Sequence, residues 1–205
     1  MEHGSKNPSG STFALQQSQK ETYLDGRLEL LTTAEYGRGF FASATIPANT
    51  CVLIEPFAAH IPNTQSTPHT MFKLIRQIIQ SKNKNNIKQF LNLSSSINST
   101  IQYTYIQEAH ISILPQISEQ EAVLYATKYI QNAFSTSNGP VILFLGAIFN
   151  HSCKPNVRFE ANNNQQMIFT TTKTIKKGDQ LFDCYGAGKL SHQQLFEQYN
   201  FKCKC

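Results

Sequence analysis

Four polar or reactive side chains in a row, Asn150, His151, Ser152 and Cys153, follow directly on the apolar run "VILFLGAIF". A stretch built for burial thus ends in an amide, an imidazole, a hydroxyl and a thiol. Asn150 could form several hydrogen bonds in a buried site, and His151 could meet a purine or a carboxylate. The same residues also suit a capped turn after a core strand, with Asn and Ser tying up backbone groups. Spacing disfavours a catalytic Cys153–His151 pair, because residues at i and i+2 rarely face each other usefully and no orienting third group is apparent.

Three further groupings could carry chemistry. "YGRGF" sets Gly37 and Gly39 on either side of Arg38. Glycines let the backbone approach a ligand and an arginine can clamp a carboxylate, although a tight turn explains the motif equally well. It is not a dinucleotide fingerprint, since the third glycine and a following helix are missing. "KKGDQLFDCYG" places Tyr185 after a strand and before Gly186 and Gly188, either as a core residue or as a hydroxyl presented to a pocket. "YNFKCKC" carries Cys203 and Cys205, at most two ligands of a four-ligand zinc site.

The elements that must position these groups fall into three zones. Residues 21 to 60 read as strands: "RLELLTT" alternates, "GRGFFASATI" follows a glycine-bracketed turn, and "TIPANTCVLIE" turns a corner at Pro47 and Asn49. From 68 to 135 the pattern changes, and glycine is absent between Phe40 and Asn138. Met71, Leu74, Ile75, Ile78 and Ile79 form an apolar stripe at helical spacing. "SEQEAVLYATKYIQNAF" is the strongest helix, with Ser118 and Glu121 as a capping box. "KNKNN", "SSSINSTIQYTY" and "NNNQQ" read as polar loops without a function. Residues 139 to 205 return to strands and end in a short helix, "SHQQLFEQYNF". The order predicts an α+β chain, mainly β, with a helical insertion at about 62 to 137.

Composition narrows the function classes. The chain has 205 residues, of which 40% are hydrophobic, enough for one domain with a real core. No apolar run approaches membrane-spanning length. The net charge of +5 is modest and is no nucleic-acid footprint. Residues 1 to 20 read as a loose tail without the basic-then-apolar order of a signal peptide, which fits a reducing compartment, nucleus or cytoplasm. There, five cysteines are better thiols, metal ligands or reactive groups than disulfides. His3, His60, His69, His110 and His192 show no partner pattern and are expected on loops or helix surfaces.

Taken in order, "GRG", "NHSCKPN", "KKGDQLFDCYG" and "YNFKCKC" resemble the SET-domain protein lysine methyltransferases. Within these, the SET-and-MYND branch is the most similar, with its helical insertion and a "YIQNAF"-like segment ahead of "NHSC". Its MYND zinc module would follow "IEPF", where no cysteine occurs between Cys51 and Cys153. The resemblance covers residues 21 to 205 and implies a SET fold of small curved sheets with a pseudoknot over 21 to 200. A post-SET cysteine segment would begin at 201 to 205. It implies S-adenosylmethionine as methyl donor and a protein lysine, on a histone tail or a non-histone protein, as acceptor. No membrane or direct nucleic-acid contact is implied.

On this resemblance Gly37, Arg38 and Gly39 line the methionine end of the cofactor. Asn150 binds its amino group, the His151 backbone and Phe201 meet the adenine, and Asn132 adds a polar contact. Tyr185 is the catalytic tyrosine and Tyr199 the second tyrosine of the lysine channel. Cys153, Cys203 and Cys205 would be three thiolate ligands of a zinc ion, with the fourth ligand unassigned. Cys184 stands where many members carry Asp directly before the tyrosine. A SET-like protein-binding module without turnover is the alternative.

Overall fold

The computed structural model describes residues 21–96 and 101–204, so the expected tail at 1 to 20 and the terminal Cys205 lie outside the described residues. Five strands come first: β1 (Tyr23–Leu24), β2 (Leu28–Thr33), β3 (Gly37–Ala42), β4 (Cys51–Pro56) and β5 (Ala59–His60). Four helices follow: α1 (Pro68–Ile79), α2 (Lys84–Leu91), α3 (Tyr103–Ile113) and α4 (Glu119–Asn132). The remainder is β6 (Ala133–Thr136), β7 (Gly139–Ile142), β8 (Asn150–His151), β9 (Val157–Ala161), β10 (Gln166–Thr171), β11 (Phe182–Asp183) and α5 (His192–Tyr199).

The strands form small sheets. An antiparallel sheet runs in the order β1-β4-β10-β9, with Phe169 of β10 opposite Leu53 on one side and Phe159 on the other. Met167, Phe169 and Thr171 are buried while the residues between them are half-buried, the two-residue period of a strand. A β2–β3 hairpin and a β5-β7-β6 sheet stand beside it. The expected corner holds: Asn49 takes φ +59°, and the Pro47 carbonyl accepts from Thr50 Oγ1 at 2.8 Å and Thr171 Oγ1 at 2.7 Å. At "NNNQQ", Asn162 Oδ1 accepts from the Asn164 and Gln166 N–H groups, a side chain standing in for backbone in the turn.

The helices build their own core. Thr67 caps α1 through a bond from Thr70 N–H at 3.2 Å, with Pro68 in the first turn, where its missing N–H costs nothing. Met71, Phe72, Leu74, Ile75 and Ile78 are buried, against Phe90 of α2, Ile106 of α3 and Ala122 and Ala126 of α4. The Ser118–Glu121 capping box forms as expected. Two expectations are corrected. Helix α3 starts at Tyr103, inside the stretch read as a loop, and buries Ile106, Ala109, His110 and Ile113. Helix α4 ends at Asn132, and "AF" of "QNAF" opens β6 instead.

A second core lies between the sheets, where Phe149 stacks on Phe169 at 4.8 Å and 18° and packs against Phe40 at 5.1 Å. "VILFLGAIF" thus belongs partly to β7 and partly to a single 3-10 turn, Gly146–Ile148, that delivers Asn150 to the surface of this core.

Candidate active site

The position of Asn150 is set by two neighbours remote in sequence. β8 pairs in parallel with β11, Phe182 opposite Asn150 and Asp183 opposite His151. Asn150 Nδ2 also donates to the Arg38 carbonyl of β3 at 2.9 Å. Gly39 makes that approach possible: a Cβ there would lie 2.7 Å from Asn150 Nδ2 and would overlap Gln180 Nε2. Gly37 has φ +66°, a conformation few other residues adopt without strain. These segments border a cleft of about 1760 Å³. Gly37, Arg38, Asn132, Asn150, His151, Tyr185, Tyr199 and Phe201 all lie on its wall; Gly39 is buried behind it.

Tyr185 is held at both ends. Its N–H donates to His151 Nδ1 at 3.0 Å, and its hydroxyl donates to the Phe149 carbonyl at 2.9 Å. Its ring centre lies 4.7 Å from that of Tyr199 and 6.1 Å from that of Phe201. Burial pushes the Tyr185 hydroxyl well above its usual range, with Asp183 and Tyr199 adding to the shift. The Tyr199 hydroxyl is pushed up to about 12, by burial first and then by Asp183. Both phenols therefore stay neutral around physiological pH. Asp183 itself is 1% exposed and has no partner for Oδ1 among the described residues. Its burial raises its carboxyl well above the ordinary value.

Other parts of the cleft wall are tied down partly by groups that the sequence did not single out. Glu55 of β4 reaches the turn before β8, where its two oxygens accept from the Phe144, Leu145 and Gly146 N–H groups at 2.6–3.1 Å. Burial raises its pKa and those three donors oppose the shift. Arg38 Nη2 donates to the Asn92 carbonyl at 2.9 Å, buried Lys128 Nζ to that of Leu93 at 2.6 Å and Asn132 Nδ2 to that of Ser94 at 2.8 Å. Arg38 and Asn132 thus line the cleft while anchoring segment 92–94 at its rim. Asn85, Asn86 and Gln89 of α2 face the same cleft, so the "KNKNN" stretch is part of its wall and not a bare loop. Glu55 was hidden because one acid inside "CVLIEPF" carries no spacing signal.

The thiols gather beyond Tyr185. Cys153 Sγ lies 3.4 Å from His151 Nε2, 3.5 Å from Cys203 Sγ and 3.8 Å from His192 Nε2. The expectation that His151 and Cys153 do not face each other is corrected. The chain turns at Ser152, whose Oγ accepts from Lys154 N–H at 3.1 Å, and this folds Cys153 back on the imidazole. His192 likewise has a partner. His110 is buried inside the helical core, between Tyr103 Oη and the Ile117 carbonyl, both at 2.9 Å. Burial, and then His192, lower the pKa of His151. Cys205 lies outside the described residues. Among them, His151, Cys153 and Cys203 are one group whose donor atoms all lie within 4.8 Å of one another.

Fold and site together define a SET-type architecture. The sequence pattern of the SET domain matches residues 37–186, and the chain belongs to the SET-domain family. It is 31% identical over 198 residues to a SET domain-containing protein of Acanthamoeba polyphaga mimivirus, covering 88% of this chain and 77% of that protein. It is 25% identical over 159 residues to a histone-lysine N-methyltransferase of Vanderwaltozyma polyspora, covering 62% of this chain and 32% of that one. A SET and MYND domain-containing protein of Dictyostelium discoideum matches at 38% over 72 residues, 32% of this chain and 12% of the relative. Among solved structures, the SET domain of LSMT bound to methyl-lysine and AdoHcy superposes with a TM-score of 0.69 at 14% identity. That match covers 90% of this chain and 54% of the LSMT chain. Rubisco LSMT bound to AdoMet superposes with a TM-score of 0.61 at 17% identity, over 87% of this chain and 52% of that one.

Proposed function

We propose that this chain is an S-adenosylmethionine-dependent protein lysine N-methyltransferase. The observation that carries the reading is Tyr185, fixed on the cleft wall by bonds to Phe149 and His151, beside Asn150 and the Gly37–Gly39 segment. The likeness to LSMT, whose structures hold lysine or methyl-lysine with AdoHcy, supports the same assignment. The residues present fit the cofactor. The cleft exceeds the roughly 300–1,000 Å³ of ordinary small-molecule sites, leaving room for a side chain from a second protein.

In this reading Asn150, the His151 backbone and Gly37–Gly39 hold S-adenosylmethionine, with Phe201 against its adenine and Arg38 and Asn132 closing the rim. Bound there, the cofactor supplies an electrophilic methyl group. Tyr185 and Tyr199 wall a narrow channel that strips water from the entering lysine, lowering its pKa towards the neutral amine. The Tyr185 hydroxyl and the Phe149 carbonyl offer oxygens to polarised C–H groups, weak bonds whose worth lies in repetition. The aromatic walls favour cations. No general acid or base is required; position and exclusion of water do the catalysis. The acceptor is a lysine on a histone tail or a non-histone protein, met in the nucleus or cytoplasm. Cys153, Cys203 and Cys205 are proposed as thiolate ligands of zinc, a donor set suited to that metal.

The test is transfer of labelled methyl from S-adenosylmethionine to core histones and to proteins of a whole-cell lysate. Label on lysine in one protein band, lost in Tyr185→Phe and Asn150→Ala, is the expected result. Cofactor binding with no transfer to any protein would replace the reading by a SET-like binding module.

A further inference from the structure

We infer that the groove between α3, α4 and α5 docks the acceptor polypeptide, taking a bulky apolar side chain that stands close to the target lysine in its sequence. The inference rests on the methyltransferase reading above and adds to it the kind of segment that is accepted.

Methyl transfer is an in-line displacement, so the amine must approach from the side of the methyl group opposite the sulfur. In the reading above the cofactor lies on the cleft side of Tyr185 and Tyr199, and the acceptor chain must come in from beyond them. A groove of about 510 Å³ adjoins both tyrosines there. The α4–α5 seam divides it from the cleft: Ile130 and Gln198 line the groove, while their chain neighbours Gln131 and Tyr199 line the cleft. Two bonds close the seam. Gln131 Nε2 donates to the Gln198 carbonyl at 3.1 Å, and Gln198 Nε2 donates to the Ile130 carbonyl at 3.3 Å. Leu190 makes the second link. It lines the groove and packs on Gly186, directly after Tyr185, where a Cβ would lie 2.4 Å from Leu190 Cγ. Each channel tyrosine therefore meets the groove through one chain neighbour.

The lining names the chemistry of the occupant. Ile101, Ile130 and Leu190 are half-buried and give an apolar floor. Tyr105 of α3 stands over it 68% exposed, the most open large apolar side chain among the described residues. A ring left so open adds little to the helical core, and its area is available to a partner. The rest of the lining is side-chain amides, which can donate to and accept from a peptide backbone, and a single charge, Glu197. Glu197 is exposed on α5, where Gln193 Nε2 donates to it at 2.8 Å, and its sign suits a chain that carries lysine. An apolar floor, amides and one acid fit an extended polypeptide with one large aliphatic or aromatic residue near its lysine. A densely basic tail would find only one counter-charge here.

The experiment starts from the acceptor lysine. Core histones and lysate proteins are incubated with methyl-labelled S-adenosylmethionine, the labelled lysine is located by mass spectrometry, and a peptide spanning it is synthesised. Each large apolar neighbour of that lysine is then replaced by Ser in turn. One replacement should raise KM about 10-fold or more with kcat little changed, the worth of one buried apolar side chain spent on binding. Tyr105 is exposed, so Tyr105→Ser should fold and bind S-adenosylmethionine as the parent does. It should nonetheless raise the KM of the unaltered peptide to a similar degree. Combined, the two changes should fall well short of multiplying, the sign of one shared contact. Full multiplication, or a peptide in which no apolar neighbour matters, would overturn the inference and leave the transferase standing. So would a peptide that is inert where its parent protein is labelled, or a dimer in sedimentation that Tyr105→Ser dissociates, which would give the groove to a second copy of this chain. No label on any protein would overturn the transferase reading itself, and this inference with it.

Discussion

Replacing Asp183 by Asn should change how stability depends on pH, by an amount that follows from burial. Asp183 is 1% exposed on β11 and its pKa is raised well above 3.8. In the unfolded chain the carboxyl ionises near its ordinary value, about 3.9. Between those two values the folded protein keeps a proton that the unfolded chain has released. Unfolding then releases a proton, so stability falls as pH rises. The contribution is fully present below the unfolded pKa and is lost as pH rises through the folded one. The slope is about 1.4 kcal/mol per pH unit for a single proton. For a chain of this length about 1 kcal/mol moves the melting temperature by roughly 2–4 °C, so the parent should lose about 3–6 °C per pH unit from this group alone. Asn has nearly the same shape and does not titrate. Melting curves of both proteins, followed by circular dichroism from pH 4 to 8 at constant ionic strength, give the difference directly. It should grow in favour of the variant as pH rises, then level off where Asp183 ionises in the folded state. A difference that is flat across the range would refute the reasoning, since it would mean that Asp183 ionises alike in both states.

Glu55→Gln places an NH₂ against backbone N–H groups that now donate to a carboxylate. Losing one or two such charge-assisted bonds costs about 1.5–3 kcal/mol each, partly offset because no charge is buried any longer. A melting point lowered by roughly 3–10 °C, with weaker S-adenosylmethionine binding by calorimetry, is expected; unchanged binding would detach this turn from the site. Phe72→Ala opens a cavity in the helical core and should cost about 3–5 kcal/mol. Denaturant unfolding reads that loss directly, and a cost below about 1 kcal/mol would show that the insertion is not packed as described.

The motifs were legible from their order along the chain, and each meets a specific local geometry. "GRG" demands a close approach that Gly39 alone permits, and a capping box has a fixed spacing that Ser118 and Glu121 meet. Helix α3 was not legible. Its buried Ile106, Ala109, His110 and Ile113 do have helical spacing, but Tyr, Thr and Gln dilute the stripe and Gln102 provides no side-chain cap. The His151–Cys153 contact was missed because i and i+2 arguments assume a continuing element, whereas β8 is two residues long and turns at once. Glu55, Lys128 and Gln180 act on groups far along the chain, and a single sequence holds no record of such pairs.

Why "NHSCKPN" is so informative follows from how little backbone holds the site together. β8 and β11 are two residues each, too short for ladder bonds alone to fix them. Asn156, buried at the end of the motif, supplies what is lacking: its Nδ2 donates to the Gln180 carbonyl at 2.9 Å and its Oδ1 accepts from Phe182 N–H at 2.7 Å. One side chain thus grips the incoming strand on both sides of Leu181, and Ser152 N–H adds a bond to the Asp183 carbonyl at 2.8 Å. The first half of the motif carries groups for the cleft and the thiol corner, and the second half seats the strand that brings Tyr185 to them. Neither "NHSCKPN" nor "QLFDCYG" can build a site without the other. That mutual dependence is why their order along the chain identifies the family while each, taken singly, reads as an ordinary turn.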